Sequence, residues 1–255
     1  MVDLDDATHR RVHPVALAGL MLALLAALLL LLSGPGTRRG VWHFRTAFKM
    51  MGWAAYAGGA AALVSIAGLA LARGRGRALA AAGLVIGALM LYLPWSWRSE
   101  ARKYPPIHDI TTDVANPPAF VAIAPLRKDA PNPPEYAGDS TAQAQAKAYP
   151  DIQPLMLAMR VDSAFTLALE TVRDMGWELV DQNRREGRIE ATATTPFLGF
   201  KDDVVVRISS ASGISRVDVR SKSRVGRGDV GANAKRIRAY LDRLRQSDAA
   251  PVRAE

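Results

Sequence analysis

Three long apolar runs without a single charged residue fall within the first 97 positions, and they limit what the rest of the chain can be. Val15–Leu32 is nearly all Leu and Ala; Met50–Ala72 and Ala78–Trp97 follow it. About 20 apolar residues carry a helix across the hydrocarbon core of a bilayer, so each run is long enough to span. The first run, with Arg10 and Arg11 ahead of it, has the outline of a signal peptide. Its apolar stretch exceeds the ~7–15 residues of a signal core, however, and Gly34-Pro35-Gly36-Thr37 is a poor cleavage site. The expectation is a three-helix transmembrane anchor over 1–97.

Other features of these runs agree. Trp53, Tyr56, Tyr92, Trp95 and Trp97 fall near span ends, where an interfacial aromatic belt would lie. Small residues crowd the second span at Gly58, Gly59, Ala60, Ala61 and Ala62. They permit close helix packing, either within one chain or between copies as a homo-oligomer. Transport and proton relay generally use an ionisable group inside the membrane; the uncharged spans therefore disfavour a pump and favour a lipid-embedded anchor.

Charge separates the two halves. Residues 1–96 hold nine Lys/Arg against three acids, and 97–255 hold 24 against 21, so most of the net charge of +9 flanks the apolar runs. That is membrane-flanking charge and not a nucleic-acid footprint. Three spans place the N-terminus and the 73–77 loop on one side, and the 34–49 loop and the C-terminal half on the other. The second side has the larger count of basic residues (Arg38, Arg39, Arg45, Lys49, Arg98, Arg102, Lys103). Arg73, Arg75 and Arg77 crowd so short a hairpin that their translocation is disfavoured. The resulting expectation is a bacterial inner-membrane protein with its C-terminal domain in the periplasm. There is no Cys, which excludes disulfides and thiolate metal sites.

Residues 98–154 read as a Pro-rich linker. Proline prevents regular helix, yet Ile107, Ile110, Phe120, Val121, Ile123 and Leu126 could anchor residues 105–126 against a domain. Residues 140–148 suit a short helix. His108, Asp109 and Asp113 invite a metal reading, but with no second ligand cluster turn capping by the two Asp is the simpler account. No metal and no cofactor is expected.

Residues 155–247 read as a soluble α+β domain in the order α-β-β-β-β-α. Phe165, Ala168, Leu169, Val172 and Met175 line one helix face behind a candidate N-cap at Asp162. Four strands follow, at 177–181, 188–194, 203–209 and 215–221, the last two joined by the turn Ala211-Ser212-Gly213. A final helix presents Val230, Ala234, Ile237, Leu241 and Leu244 on one stripe. Hairpin connections imply an antiparallel four-stranded sheet with both helices on one face.

The chemistry-bearing residues concentrate where the last strand meets the last helix. Gly226, Gly228 and Gly231 permit positive φ and close backbone approach, and Asp229 is a plausible N-cap. Asp202, Asp203, Arg220, Arg224 and Asp229 could meet at one end of the sheet, as an anion or acid–base site or as a structural ion-pair network. Lys235, Arg236 and Arg238 form either a solvated face or a surface for a partner or anionic lipid. No catalytic residues are assigned.

Several separated stretches resemble the DUF1499 family: Ile107-His-Asp-Ile-Thr-Thr-Asp with Asn116-Pro-Pro-Ala-Phe, Tyr149-Pro-Asp-Ile-Gln-Pro-Leu, Gly199-Phe-Lys-Asp-Asp-Val-Val-Val-Arg, and Ser221-Lys-Ser-Arg-Val-Gly-Arg-Gly-Asp-Val-Gly-Ala-Asn. The resemblance covers about residues 105–245. It is closest to proteobacterial members that also begin with apolar spans, and it implies a bacterial envelope protein with no established activity. Some members open the domain with an Asn-Cys-Val-Ser-type stretch; Ile-His-Asp-Ile-Thr-Thr stands here, so a thiol role is excluded. The leading expectation is a membrane-anchored, non-enzymatic domain binding an envelope protein or lipid. The alternative is a small-ligand binder or hydrolase using Asp202, Asp203 and Arg224.

Overall fold

The computed structural model describes residues 12–249; Arg10 and Arg11 lie outside them. The chain divides into two units, one of residues 1–101 with 196–199 and one of 102–195 with 200–255.

The first unit holds three helices long and apolar enough to cross a membrane: Pro14–Arg38 (α1), Phe44–Leu71 (α2) and Arg75–Ala101 (α3). Most of their buried positions are small, Leu30 and Met90 excepted, and a set of them recurs every three or four residues. They are Ala16, Gly19, Ala23, Ala26, Leu30 and Ser33 on α1, then Ala54, Gly58, Ala61, Ser65 and Gly68 on α2, and Gly76, Ala80, Gly83, Gly87 and Met90 on α3. This seven-residue recurrence keeps each seam facing its neighbours as the helices cross, and small side chains let the backbones approach. A Cβ added at Gly83 would stand 2.5 Å from Ser65 Oγ, and one at Gly58 would stand 2.8 Å from the Gly87 carbonyl. Gly58, Ala61 and Ser65 thus serve packing inside one chain. Trp53, Tyr56, Tyr92, Trp95 and Trp97 are all exposed on the outside of this unit.

The second unit is built on an antiparallel sheet of six strands, not four: Asp109–Thr111 (β1), Leu155–Leu157 (β2), Glu178–Asn183 (β3), Arg188–Thr194 (β4), Lys201–Ala211 (β5) and Ile214–Ser223 (β6). β3, β4, β5 and β6 form a consecutive meander. β1, from within the Pro-rich stretch, and β2, just after it, share the outer edge of β6, which they pair at 220–222 and 215–217. Three residues each is too short for an alternating pattern to register, so neither strand was expected. Helix Val161–Asp174 (α5) starts with Arg160 at the N-cap position, so Asp162 sits in its first turn instead of capping it. Helix Asp139–Ala148 (α4) forms where a short helix was expected, and Ala232–Ala249 (α6) closes the fold.

Alternation assigns the two sheet faces. Ile189, Ala191, Val204, Val206, Ile208, Val217 and Val219 face α5 and α6, and make the main core with Phe165, Ala168, Val172, Ile237, Leu241 and Leu244. Trp177 stacks on Tyr240 at 5.3 Å, and the buried Tyr240 hydroxyl donates to the Ala168 carbonyl, tying α6 to α5. Val230, expected on the α6 stripe, lies in the turn before the helix, 44% exposed and at φ +54°. The opposite face of the sheet is polar. Residues 112–137 cross it as a strap, anchored by Phe120 and Ile123 against Val205.

Candidate functional site

Two polar clusters lie on opposite faces of this sheet. The division is fixed by one dipeptide. Asp202 and Asp203 are neighbours on β5, so their side chains project to opposite faces, and both are buried.

Asp203 lies under the strap. Its Oδ2 accepts from Arg127 at 2.7 Å and Arg224 at 2.9 Å, and its Oδ1 accepts from Arg224 at 2.8 Å and from the Thr192 hydroxyl at 2.7 Å. Arg127 comes from the strap, and it also donates to the carbonyls of Asn132, Lys222 and Ser223. Beside this group, Asp109 takes both ends of the Arg220 guanidinium at 2.9 Å and the Lys222 ammonium at 3.1 Å. Arg220 then reaches the strap carbonyls of Pro118 and Pro134 and lies 4.8 Å over the Phe120 ring. Glu190, on β4, accepts from the backbone N–H groups of Val121, Ala122 and Ile123 and pairs with Arg188. Farther along, Asp113 and Asp218 share Arg207 and Arg216. The polar sheet face is therefore an ion-pair layer whose surplus donors grip the backbone of the strap.

Burial sets the protonation behaviour of this layer. It lowers the Lys222 ammonium below the ordinary lysine value, against the pull of Asp109, and lowers Arg127 against the pull of Asp203. It raises the Tyr136 phenol to about 12, with Asp109 adding to the shift.

The second cluster fills the corner between β6 and α6. Arg236 donates to Asp202 at 2.6 Å and to the Ser221 hydroxyl at 3.0 Å. Ser221 donates to the Asn233 amide oxygen at 2.7 Å, and the Asn233 amide nitrogen donates to Ser223 Oγ and to the His108 carbonyl, each at 3.0 Å. Asp229 accepts from the N–H groups of Gly231 and Asn233 at 2.9 and 2.8 Å; α6 begins at Ala232, so Asp229 stands two residues before the N-cap position and reaches the first turn through Asn233. Burial raises its carboxyl above the ordinary range, and those two backbone N–H groups oppose the rise. The corner glycines act as their positions require: Gly226 and Gly231 sit at φ +99° and +75°, and a Cβ on Gly231 would stand 2.5 Å from the Tyr104 ring.

The structure thus brings Asp203, Arg224 and Arg220 to the strap face, and Asp202 and Asp229 to the helix face. His108, Asp109 and Asp113 separate as well. The His108 ring faces the Arg227 carbonyl, and burial lowers its pKa, whereas the two Asp bind different cations. Lys235 is exposed with its ammonium 5.6 Å over the Tyr104 ring, Arg236 is bound to Asp202, and Arg238 pairs with Asp151. Sequence reasoning did not single out Arg127, Glu190 or Thr192, and it gave Ser221, Lys222, Ser223 and Asn233 only as parts of a motif, without a role. The apolar anchors among the prolines, Phe120 and Ile123 included, indicated that residues 105–126 would wrap on a domain, but not which face of the sheet they would cover.

A search among curated proteins finds no match to the chain. The sequence profile described as "Protein of unknown function (DUF1499)" matches residues 109–244, a span that contains the strap, all six strands and both polar clusters. Over half of its length, then, the chain carries this profile, and it belongs to the DUF1499 family.

Proposed function

We propose that the protein is a multi-pass protein of the bacterial inner membrane that holds a non-enzymatic binding domain in the periplasm, where it engages an envelope protein or an anionic lipid. The observation that carries this reading is the engagement of its buried carboxylates. Asp109, Asp202, Asp203 and Glu190 all direct their oxygens to donors of the domain itself. A general acid or base must reach a substrate proton directly or through one water. Carboxylates held in this way hold the strap and the corner in place. The surface left for a partner includes exposed Lys235 and half-buried Arg238; the Arg238–Asp151 pair lies in solvent, where a partner's anion can compete for it, whereas Arg236 is committed to the buried Asp202.

Complementation of a deletion strain tests the reading. Asp203→Asn and Asp202→Asn keep the shape of each side chain and remove its charge, and both are expected to complement wherever they fold. Lys235→Glu combined with Arg238→Gln leaves the Arg236–Asp202 pair intact and is expected to fail while melting close to the parent. A folded Asp203→Asn that fails, beside a Lys235/Arg238 variant that succeeds, would replace this reading with the small-ligand or hydrolase alternative. One feature favours that alternative: Arg224 holds Asp203 while its own side chain remains 19% exposed.

A further inference from the structure

A groove of about 480 Å³ runs along the outside of the helical unit between α1 and α2, lined by Leu25, Leu29, Met50, Trp53, Tyr56 and Ala57. Its volume is within the range of small-molecule sites, and its lining is almost wholly apolar. One end of it is marked by charge. Arg45, Lys49, Trp53, Tyr56 and Ala60 recur at intervals of four, four, three and four residues, so they fall on a single stripe of α2. The two cations open the stripe, and both are exposed. Trp53 and Tyr56 follow within two turns, 66% and 75% exposed, with their rings 6.1 Å apart edge to face. From Lys49 to Ala60 the helix rises roughly 16 Å at 1.5 Å per residue, close to half of the ~30 Å hydrocarbon core. The order along the stripe is therefore cation, interfacial aromatic, apolar groove, over the depth of one leaflet.

We propose that this groove is a binding site for one anionic phospholipid, with its phosphate held by Arg45 and Lys49 and an acyl chain lying along Trp53, Tyr56 and Ala60. A zwitterionic lipid would fill the groove equally well and would gain less from the two cations, so headgroup charge is what the site selects. The site rests on the reading that these helices cross a bilayer.

The full-length chain, purified in detergent, would be given equal amounts of phosphatidylglycerol and phosphatidylcholine with identical acyl chains and examined by native mass spectrometry. One phosphatidylglycerol is expected per chain, preferred roughly thirtyfold, the scale two surface cations provide at about 1 kcal/mol each. Arg45→Gln with Lys49→Gln is expected to bring that preference to parity. Ala60→Phe, at an exposed position, is expected to displace both lipids without disturbing helix content. Arg75→Gln with Arg77→Gln, outside the stripe, is expected to change nothing. Parity in the parent, a preference that survives in the Arg45/Lys49 variant, or a second copy of the chain in place of lipid would overturn the site. Release of the chain from native membranes by alkaline carbonate would instead overturn the membrane reading itself, so the two failures are told apart.

Discussion

At the scale of single residues, the second unit places charge where most small domains place hydrocarbon. Breaking a buried ion pair from one side costs roughly 3–5 kcal/mol, because the remaining charge is left uncompensated. Glu190 is the clearest instance, since it serves three backbone N–H groups as well as Arg188. Glu190→Ala is expected to lower stability by about 3 kcal/mol in chemical denaturation, and to speed hydrogen exchange at Val121 to Ile123 ahead of the strands. Unchanged exchange there would mean the strap is held by something else. Asp229 offers a test with a sign. Its folded pKa is raised by burial, so the stability linked to its proton is complete below the unfolded carboxyl pKa and is lost as pH rises through the folded value. Asparagine carries no charge and keeps one of the two acceptor oxygens, so its loss of one hydrogen bond is the same at every pH. Asp229→Asn should therefore gain stability relative to the parent as pH rises from about 3 to 7, and a gap that narrows over that interval would contradict the assignment. The sequence reading gathered residues 202, 203, 220, 224 and 229 at one end of the sheet as a single cluster. It did not show that β5 sends Asp202 and Asp203 to different faces, because a charge cluster was read as a single site where the strand period of two divides it.

At the scale of elements, the longer strands and helices were legible because a period of two or 3.6 runs through them for six residues or more. β4 falls on the range expected of it, and the α6 stripe from Ala234 to Leu244 is buried as expected. β1 and β2 were not legible: at three residues they are specified by the open edge of β6, which is a tertiary fact. The strap is intermediate. Its anchors Phe120 and Ile123 were visible as apolar residues among prolines, whereas Arg127 looked like any surface arginine until Asp203 was found beneath it. In the helical unit, the three small-residue seams set an equally sharp requirement. A leucine at Gly83 would collide with Ser65 and the backbone of Leu20, whereas Gly52 has open space where its Cβ would stand. Gly83→Leu is expected to lower the melting temperature of the detergent-solubilised chain by 10 °C or more, an order-of-magnitude figure from overpacking costs of about 1–3 kcal/mol or above. Gly52→Leu should leave it within about 2 °C, in keeping with a surface substitution. Equal effects at the two positions would contradict the seam assignment.

At the scale of the whole molecule, three helices able to span a membrane are joined in one chain to a domain of the DUF1499 family. If all three of these helices cross, the segment before α1 and the second unit lie on opposite sides, and the side of the membrane decides which partners the second unit can meet. The arginine hairpin at 73–77 is the feature on which the periplasmic assignment turns, against a larger but more dispersed basic count on the other side. Fusions of alkaline phosphatase and of a fluorescent protein, each placed after Arg102 and after Glu255, read the side directly. The account expects active phosphatase and a dark fluorescent protein at both positions. Bright fluorescence with inactive phosphatase would put the domain in the cytoplasm, and the proposal of a periplasmic binding module would fall.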